Sequence, residues 1–507
     1  MSDLMNHEPV KDRDALRRQL GQAREISRVL EPEADERARW QHTVDHAVST
    51  FISQLGGART FSSRSRELTD DFDRQVEACT NLSDLIKAVT HGVSKSGLLT
   101  AGPGHLGFVP GGGLYLGALA DHLSSALNPF SADEFAAPIA THMHNQALRW
   151  LCDLVGYGEE AFGDLTSGGS IATLTALNVA RKAGKIRAQD YSSLCIYVGE
   201  HTHHCFQKAV DTLFGEDIHL RVVPSNAYAM DVFALRDQIQ RDVNAGLKPW
   251  LIVATAGSTN LGRVDPLSDI AQVAEDSGLW FHVDAAYGGF FRLVPELANK
   301  FRGIEKADSI VLDPHKGLFL PYGSGAVLFK KGSLLCQEAK ASYLQDRDQD
   351  LDETHLDSNR SRKILSRSPM DYSLELTRPF RALRLWLTQK VYGRDVLAAA
   401  LREKRILAVY AAEELAAMPH IKLVTHPDLS ILAFRFSPGG DISDEGTAEL
   451  LTRINAHPEV FLSSTVIDGH MVIRVAILSF RTHMETIDKL LQIVRTESSM
   501  MARERGI

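Results

Sequence analysis

Two short stretches, His282-Val283-Asp284-Ala285-Ala286 and Asp313-Pro314-His315-Lys316-Gly317, each end an apolar run on ionisable residues. A lysine there is a candidate Schiff-base former. An aspartate there is a candidate partner for a protonated pyridine nitrogen. Those are the two groups a protein must supply to make pyridoxal phosphate (PLP) an electron sink. Asp284 needs a partner if it is buried, and a pyridinium would be one. Taken alone, it reads equally well as a strand-end aspartate in a structural hydrogen-bond network. Lys316 would form the imine, and partial desolvation beside a cationic ring and His315 is expected to lower its pKa. Most lysines lie in solvated turns, but SIVLD before this one and GLFLPYGSGAVLF after it argue against free exposure. Ala286 offers a small side chain against which a flat ring could lie.

Thr166-Ser167-Gly168-Gly169-Ser170 precedes a helical pattern with Ile171, Leu174, Leu177 and Ala180 on one side. Glycines let backbone N–H groups approach a phosphate, the helix N-terminus favours negative charge, and Ser170 sits at the expected N-cap. An ordinary Ser/Gly cap would look the same. In Glu200-His201-Thr202-His203-His204-Cys205, one imidazole could stack on a cofactor ring. Zinc is the competing reading, but His201 and His203 lack a distal ligand pair, so no metal is expected.

These residues need rigid elements behind them. The 507 residues are too many for one compact core. Short apolar strands are expected at Leu194–Val198, Leu220–Val223, Trp250–Ala254, Trp280–Asp284, Ser309–Asp313 and Gly325–Phe329, with helices such as Leu267–Asp276 between them. That alternation predicts an α/β fold with a mostly parallel sheet covered on both faces. Ligands then bind at the carboxyl ends of strands, where Asp284 and Lys316 fall. After Trp386, a long helix (Val396–Met418), strands at Ile421–Val424, Ile431–Phe436 and Val472–Ile477, and a helix from Met484 predict a smaller α/β domain with more exposed strands. Residues 34–56 read as a polar helix, and Ser342–Pro369 as a mobile loop. A net charge of -9 argues against nucleic acid or an anionic membrane as partner. No apolar run spans a bilayer. Five scattered cysteines and an N-terminus with no apolar segment suggest a reduced, cytoplasmic protein.

In order along the chain, GFVPGGG, LTSGGSIATLTALNVAR, HHCFQKA, VATAGSTNLGRVDPL, WFHVDAAYGG, DPHKG and DYSLELTRPFRALRLW resemble the group II PLP-dependent amino-acid decarboxylases. That resemblance implies the fold type I (aspartate-aminotransferase) architecture. It comprises an N-terminal helical dimerisation segment (1–114), a large PLP-binding domain (115–385) and a small C-terminal domain (386–507). It makes Lys316 the cofactor lysine, Asp284 the partner of the ring nitrogen and His203 the stacking residue. Gly169, Ser170, Asp313 and His315 fall around the phosphate, Thr259 near the ring hydroxyl and substrate carboxylate, and Ala286 beneath the ring. Tyr343 matches a loop tyrosine that protonates the α-carbon, whereas relatives with phenylalanine there tend to be oxidative aldehyde synthases. The implied reaction is α-decarboxylation of an L-amino acid by a homodimer with shared active sites.

An aromatic substrate is favoured, with Gly111-Gly112-Gly113 as a roomy pocket wall. His105, His142 and His144, if they line the pocket, would suit an acidic or hydroxylated substrate instead; the stretch APIATHMHN has histidines where the family often has an acid. The alternatives are decarboxylation-dependent oxidation to an aldehyde, transamination, or a catalytically silent regulatory relative.

Overall fold

The computed structural model describes residues 13–62, 66–335 and 367–506. They divide between two compact units, one drawn from 1–58 and 62–97, the other from 59–61 and 98–507. The first unit holds helices α1 (Arg13–Ser27), α2 (Ala34–Gln54), α3 (Arg66–Glu77) and α4 (Leu82–Lys95). Asn81 caps α4 by accepting from the Asp84 N–H. α2 buries no residue, and Leu85, Val89 and Val93 form an exposed apolar stripe along α4 at helical spacing.

The second unit opens with α5 (Tyr115–Leu127) and α6 (Pro138–Val155), then builds a seven-stranded sheet. Its strands are β1 (Phe162–Thr166), β2 (Leu194–Gly199), β3 (His219–Val223), β4 (Lys248–Thr255), β5 (Trp280–Asp284), β6 (Ser309–Leu312) and β7 (Gly325–Phe329). They lie in the order β1-β7-β6-β5-β4-β2-β3. From β6 to β3 every pairing is parallel, and β7 joins β6 and β1 antiparallel. Between the strands run α7 (Gly169–Ala183), α8 (His204–Phe214), α9 (Val232–Asn244) and α10 (Leu267–Ser277), the last closed by Gly278 in a left-handed conformation.

Alternation along the strands shows why the sheet needs two helical layers. Ile196 and Val198 of β2, with Leu251 and Val253 of β4, pack with Leu177 of α7 and Phe206 and Val210 of α8. Cys195, Tyr197, Ile252 and Ala254 point the other way, into the larger core with α9 and α10. Residues two apart share a face, so both faces are buried and the strands carry unbroken apolar runs. Each large aliphatic residue removed from water this way contributes roughly 1.5–3 kcal/mol.

The chain then forms α11 (Ala382–Ala416), β8 (Ile421–Thr425), β9 (Ile431–Phe436), α12 (Asp444–Ala456), β10 (Ser463–Ile467), β11 (His470–Ala476) and α13 (Met484–Glu504). These strands form an antiparallel sheet in the order β8-β9-β11-β10. α11 begins well before the expected Val396 and runs through a kink at Gly393, whose φ of 68° no ordinary helical residue adopts. The expectation of more exposed strands holds for β8 and β10, but β9 is buried along its whole length. No helix among the described residues is long and apolar enough to cross a membrane.

Candidate active site

Asp284 is the last residue of β5 and pairs in register with Val311 of the parallel neighbour β6. Two residues beyond that partner the chain reaches Asp313, which precedes a single helical turn, Pro314–Gly317. Pro314 suits this first helical position because its missing N–H would have no partner there. The turn is pinned by the fully buried Leu318, Phe319 and Leu320. Lys316 therefore cannot drift into solvent, and its Nζ lies 3.0 Å from Asp313 Oδ2.

Gly168 caps α7 with a φ of 155°, and a Cβ on Gly169 would meet Asp313 Oδ2 at 2.9 Å. The glycines thus bring the start of α7 against the Lys316 turn. The first N–H groups of a helix have no partner within it, which suits an anion. Ser170 is not the N-cap expected from the sequence; it lies inside the helix, because glycine alone tolerates the backbone angle at the cap.

His203 caps α8, and its Nδ1 accepts the Cys205 N–H at 3.2 Å. That bond assigns the ring hydrogen to Nε2. Burial lowers the pKa of His203, with Asp284 opposing and Lys316 reinforcing the shift, so the ring is neutral at pH 7. His315 donates from Nδ1 to the Ser324 carbonyl at 2.6 Å, fixing its orientation.

One cavity of about 490 Å³ brings together Gly169, Ser170, His203, Thr259, Asp284, Ala286, Asp313, His315 and Lys316. Thr173, Cys205, Thr255, Tyr287 and Tyr322 also line it and were not singled out from the sequence. Only Cys205 carried a local signal, two residues after the candidate stacking histidine. Burial pushes its thiol up to about 11, which keeps it protonated and unreactive.

Several expectations need correction. Gly111 is no roomy wall: a Cβ there would come 2.1 Å from the His315 carbonyl oxygen, so this glycine permits close packing on the back of the Lys316 turn. None of Gly111, Gly112 and Gly113 lines the cavity, and neither do His105, His142 and His144. His105 is buried beside Phe108 and Phe461, His142 bonds Gln146, and His144 is buried against Arg378. The protein groups around Lys316 raise its pKa, and the lowering expected from a cationic ring is a separate contribution. Burial pulls the pKa down, but the carboxylates of Asp313 and Asp284 outweigh burial. Tyr343 lies outside the described residues, as does most of the expected loop.

The residues present fit PLP. The buried Asp313 Oδ1 has no hydrogen-bond partner among the described residues. The glycines leave open the first N–H groups of α7, an amine stands at the centre, and Asp284 offers a carboxylate to a cationic ring.

The pyridoxal-dependent decarboxylase conserved domain matches residues 80–437. An aromatic-L-amino-acid decarboxylase of Bacillus atrophaeus is 33% identical over 77% of this chain and 80% of its own. A phenylacetaldehyde synthase of Arabidopsis thaliana is 27% identical over 79% of this chain and 82% of its own. Among solved structures, Oryza sativa TDC with PLP and tryptamine superposes with a TM-score of 0.83 at 24% identity, covering 93% of this chain and 99% of that one.

Proposed function

The chain belongs to the pyridoxal-dependent decarboxylase family and is a PLP-dependent amino-acid decarboxylase; from that premise we propose that its substrate is an L-amino acid with an aromatic side chain. The observation that carries this is the cavity lining. Its charged or ionisable polar residues are Asp284, Asp313, His203, His315 and Lys316, with the buried Cys205, Tyr287 and the rim Tyr322. By the family resemblance each of the first five has a role toward the cofactor, so among the described lining residues no carboxylate or ammonium is left to read a charged substrate side chain. The name of the Bacillus atrophaeus relative points the same way.

When bound, PLP supplies a conjugated cationic ring that accepts the electron pair left on the α-carbon as carbon dioxide departs. Lys316 would carry the cofactor and give it up to the substrate amine. Asp284 would offer its carboxylate to the ring nitrogen, where preorganised negative charge stabilises positive charge strongly. Its Oδ1 accepts the Ala286 N–H at 3.1 Å, which fixes the carboxylate's direction. The neutral His203 presents a flat face and orients the carboxylate that leaves. Gly169 and Ser170 would hold the phosphate at the start of α7, and Thr259 and Ala286, which also line the cavity, would bound the ring. Tyr343 protonates the α-carbon.

The active form is a homodimer that shares its two sites. Support comes from Tyr115, Leu119, Leu123 and Leu127, an exposed apolar stripe down one side of α5 that a monomer would leave in water. The described cysteines are all unpaired, which fits a cytoplasmic location.

Incubation of the PLP-loaded enzyme with a panel of L-amino acids tests the reading. The expected result is amine and carbon dioxide in equal amounts from tryptophan, tyrosine or phenylalanine, without peroxide. Turnover confined to acidic or aliphatic substrates overturns the aromatic assignment. Peroxide matching carbon dioxide would favour oxidation to an aldehyde, the reaction implied by the name of the Arabidopsis thaliana relative.

A further inference from the structure

The pairing between Lys316 and Asp313 is not itself used by the reaction as drawn above. Lys316 Nζ is held 3.0 Å from Asp313 Oδ2 across the Pro314–Gly317 turn, whose backbone also bonds the Lys316 N–H to the Asp313 carbonyl at 2.8 Å. The Asp313 carboxylate is 2% exposed, and its Oδ1 has no partner among the described residues. Among the described residues no other cation is positioned to neutralise it. The nearest alternative, His315, has Nδ1 committed to the Ser324 carbonyl and holds Nε2 3.8 Å away. A buried carboxylate is strongly disfavoured without a countercharge, so this acid and this lysine depend on each other.

We infer that Asp313 is the charge partner of Lys316 whenever that side chain is a free amine, holding it as an ammonium and receiving its proton before the nitrogen adds to a carbonyl. The inference rests on the role of Lys316 proposed above. In that step one N–H bond of the ammonium breaks and its proton passes to the Asp313 carboxylate. The freed nitrogen pair forms a bond to the aldehyde carbon. The aldehyde oxygen leaves as water with the two remaining amine hydrogens, and Asp313 returns its proton to the new C=N nitrogen. Asp313 thereby sets the pH at which Lys316 becomes a nucleophile.

Other groups face the same amine. Asp284 approaches from the end of β5, His203 and Cys205 from the start of α8, and His315 and Tyr322 from the turn and the loop after it. Among these, Asp284 is the only other carboxylate, and its Oδ1 is engaged by the Ala286 N–H. Asp313 alone makes the hydrogen-bonded pair. Burial on its own would lower the lysine pKa; the two carboxylates reverse that sign.

Trace acetylation of amines on the full-length, cofactor-stripped protein, read at Lys316 by peptide mass spectrometry across pH, tests the inference without requiring turnover. In the wild type the Lys316 labelling midpoint is expected above the ordinary lysine value of about 10.4. In Asp313→Asn it is expected to fall by roughly 1–3 pH units, so that labelling at pH 8 rises about tenfold or more. A wild-type midpoint at or below the ordinary value overturns the inference and needs no variant. So does an unchanged midpoint in Asp313→Asn. The proposed function fails separately: if Lys316→Ala still decarboxylates, that reading falls whatever the labelling shows.

Discussion

Two carboxylates of the large sheet meet cations in the interior, with opposite consequences. Asp164, in the middle of β1, lies 2.8 Å from Arg378 Nη1, and both side chains are 3% exposed or less. Arg378 is further engaged by Ser373 and by His144 Nδ1, which accepts from Nη2 at 3.3 Å. Asp313, just past the end of β6, meets Lys316 at a similar distance, but Lys316 is 23% exposed and faces a cavity. The first pair is sealed from solvent and joins α6, β1 and the segment before α11, although its histidine leaves Nε2 without a hydrogen-bond partner among the described residues. The second has an unpartnered oxygen and an open side. The pair's chemistry is nearly the same in both places; access to a cavity, with an unpaired oxygen on the carboxylate itself, separates machinery from scaffold.

That distinction predicts that breaking the closed pair costs stability. Arg378→Met leaves Asp164 charged and buried, and a loss of about 3–5 kcal/mol in unfolding free energy is expected by chemical denaturation. Adding Asp164→Leu should restore much of it, since an apolar pair of matching volume needs no desolvation. A neutral single variant would place Arg378 outside the scaffold.

A smaller effect is expected where packing supports the open pair. Gly111→Ala drives a Cβ into the His315 carbonyl. Overpacking of this kind costs about 1–3 kcal/mol. Because the displaced atoms belong to the Lys316 turn, kcat should fall by roughly 10²-fold. Gly113→Ala serves as the control, since a Cβ there meets nothing within 4 Å. Its penalty comes only from a φ of 68° and should spare kcat. Equal losses of kcat in the two variants would remove the link between Gly111 and the turn.

The smallest expected effect is an acid limb that belongs to the scaffold. Burial holds His282 at about 4, against an ordinary value of 6.5, and burial and Arg378 depress His144 in the same direction. The unfolded chain therefore binds more protons below pH 6.5, so stability is present above that pH and is lost as pH falls toward 4. For His282 alone the loss by pH 5 is about 2 kcal/mol. Denaturation midpoints at pH 7 and pH 5 should differ accordingly, and His282→Asn should narrow the gap. No narrowing would show that the acid limb arises elsewhere.

How much of this the sequence discloses follows from what each element contributes locally. β5 and β7 are readable to the residue, because both are short, mostly buried runs between turns, β7 wholly apolar and β5 interrupted only by His282 before it ends on Asp284. β1, Phe-Gly-Asp-Leu-Thr, carries a glycine and an acid, and its Asp164 is acceptable only because of Arg378, 214 residues later. No local pattern reports such a partner. β10, an edge strand with polar residues facing water, gave too weak an alternation to be read. At the site, Asp284 and Lys316 are legible from their place at the ends of apolar runs, whereas His203 is singled out from its neighbouring histidines only by the family resemblance. The cap at Gly168 is not legible, because the choice between neighbouring Gly and Ser depends on a backbone angle. The sign of the Lys316 shift is also hidden, since it depends on two carboxylates brought together only by the parallel register of β5 and β6.

The most direct measurement is borohydride reduction of the PLP-loaded enzyme, followed by peptide mapping. The account predicts the reduced pyridoxyl group on the peptide containing Lys316 and its absence from Lys316→Ala, which should also lose at least about 10³-fold in decarboxylation rate. A pyridoxyl group on a different lysine, with activity retained in Lys316→Ala, would contradict it.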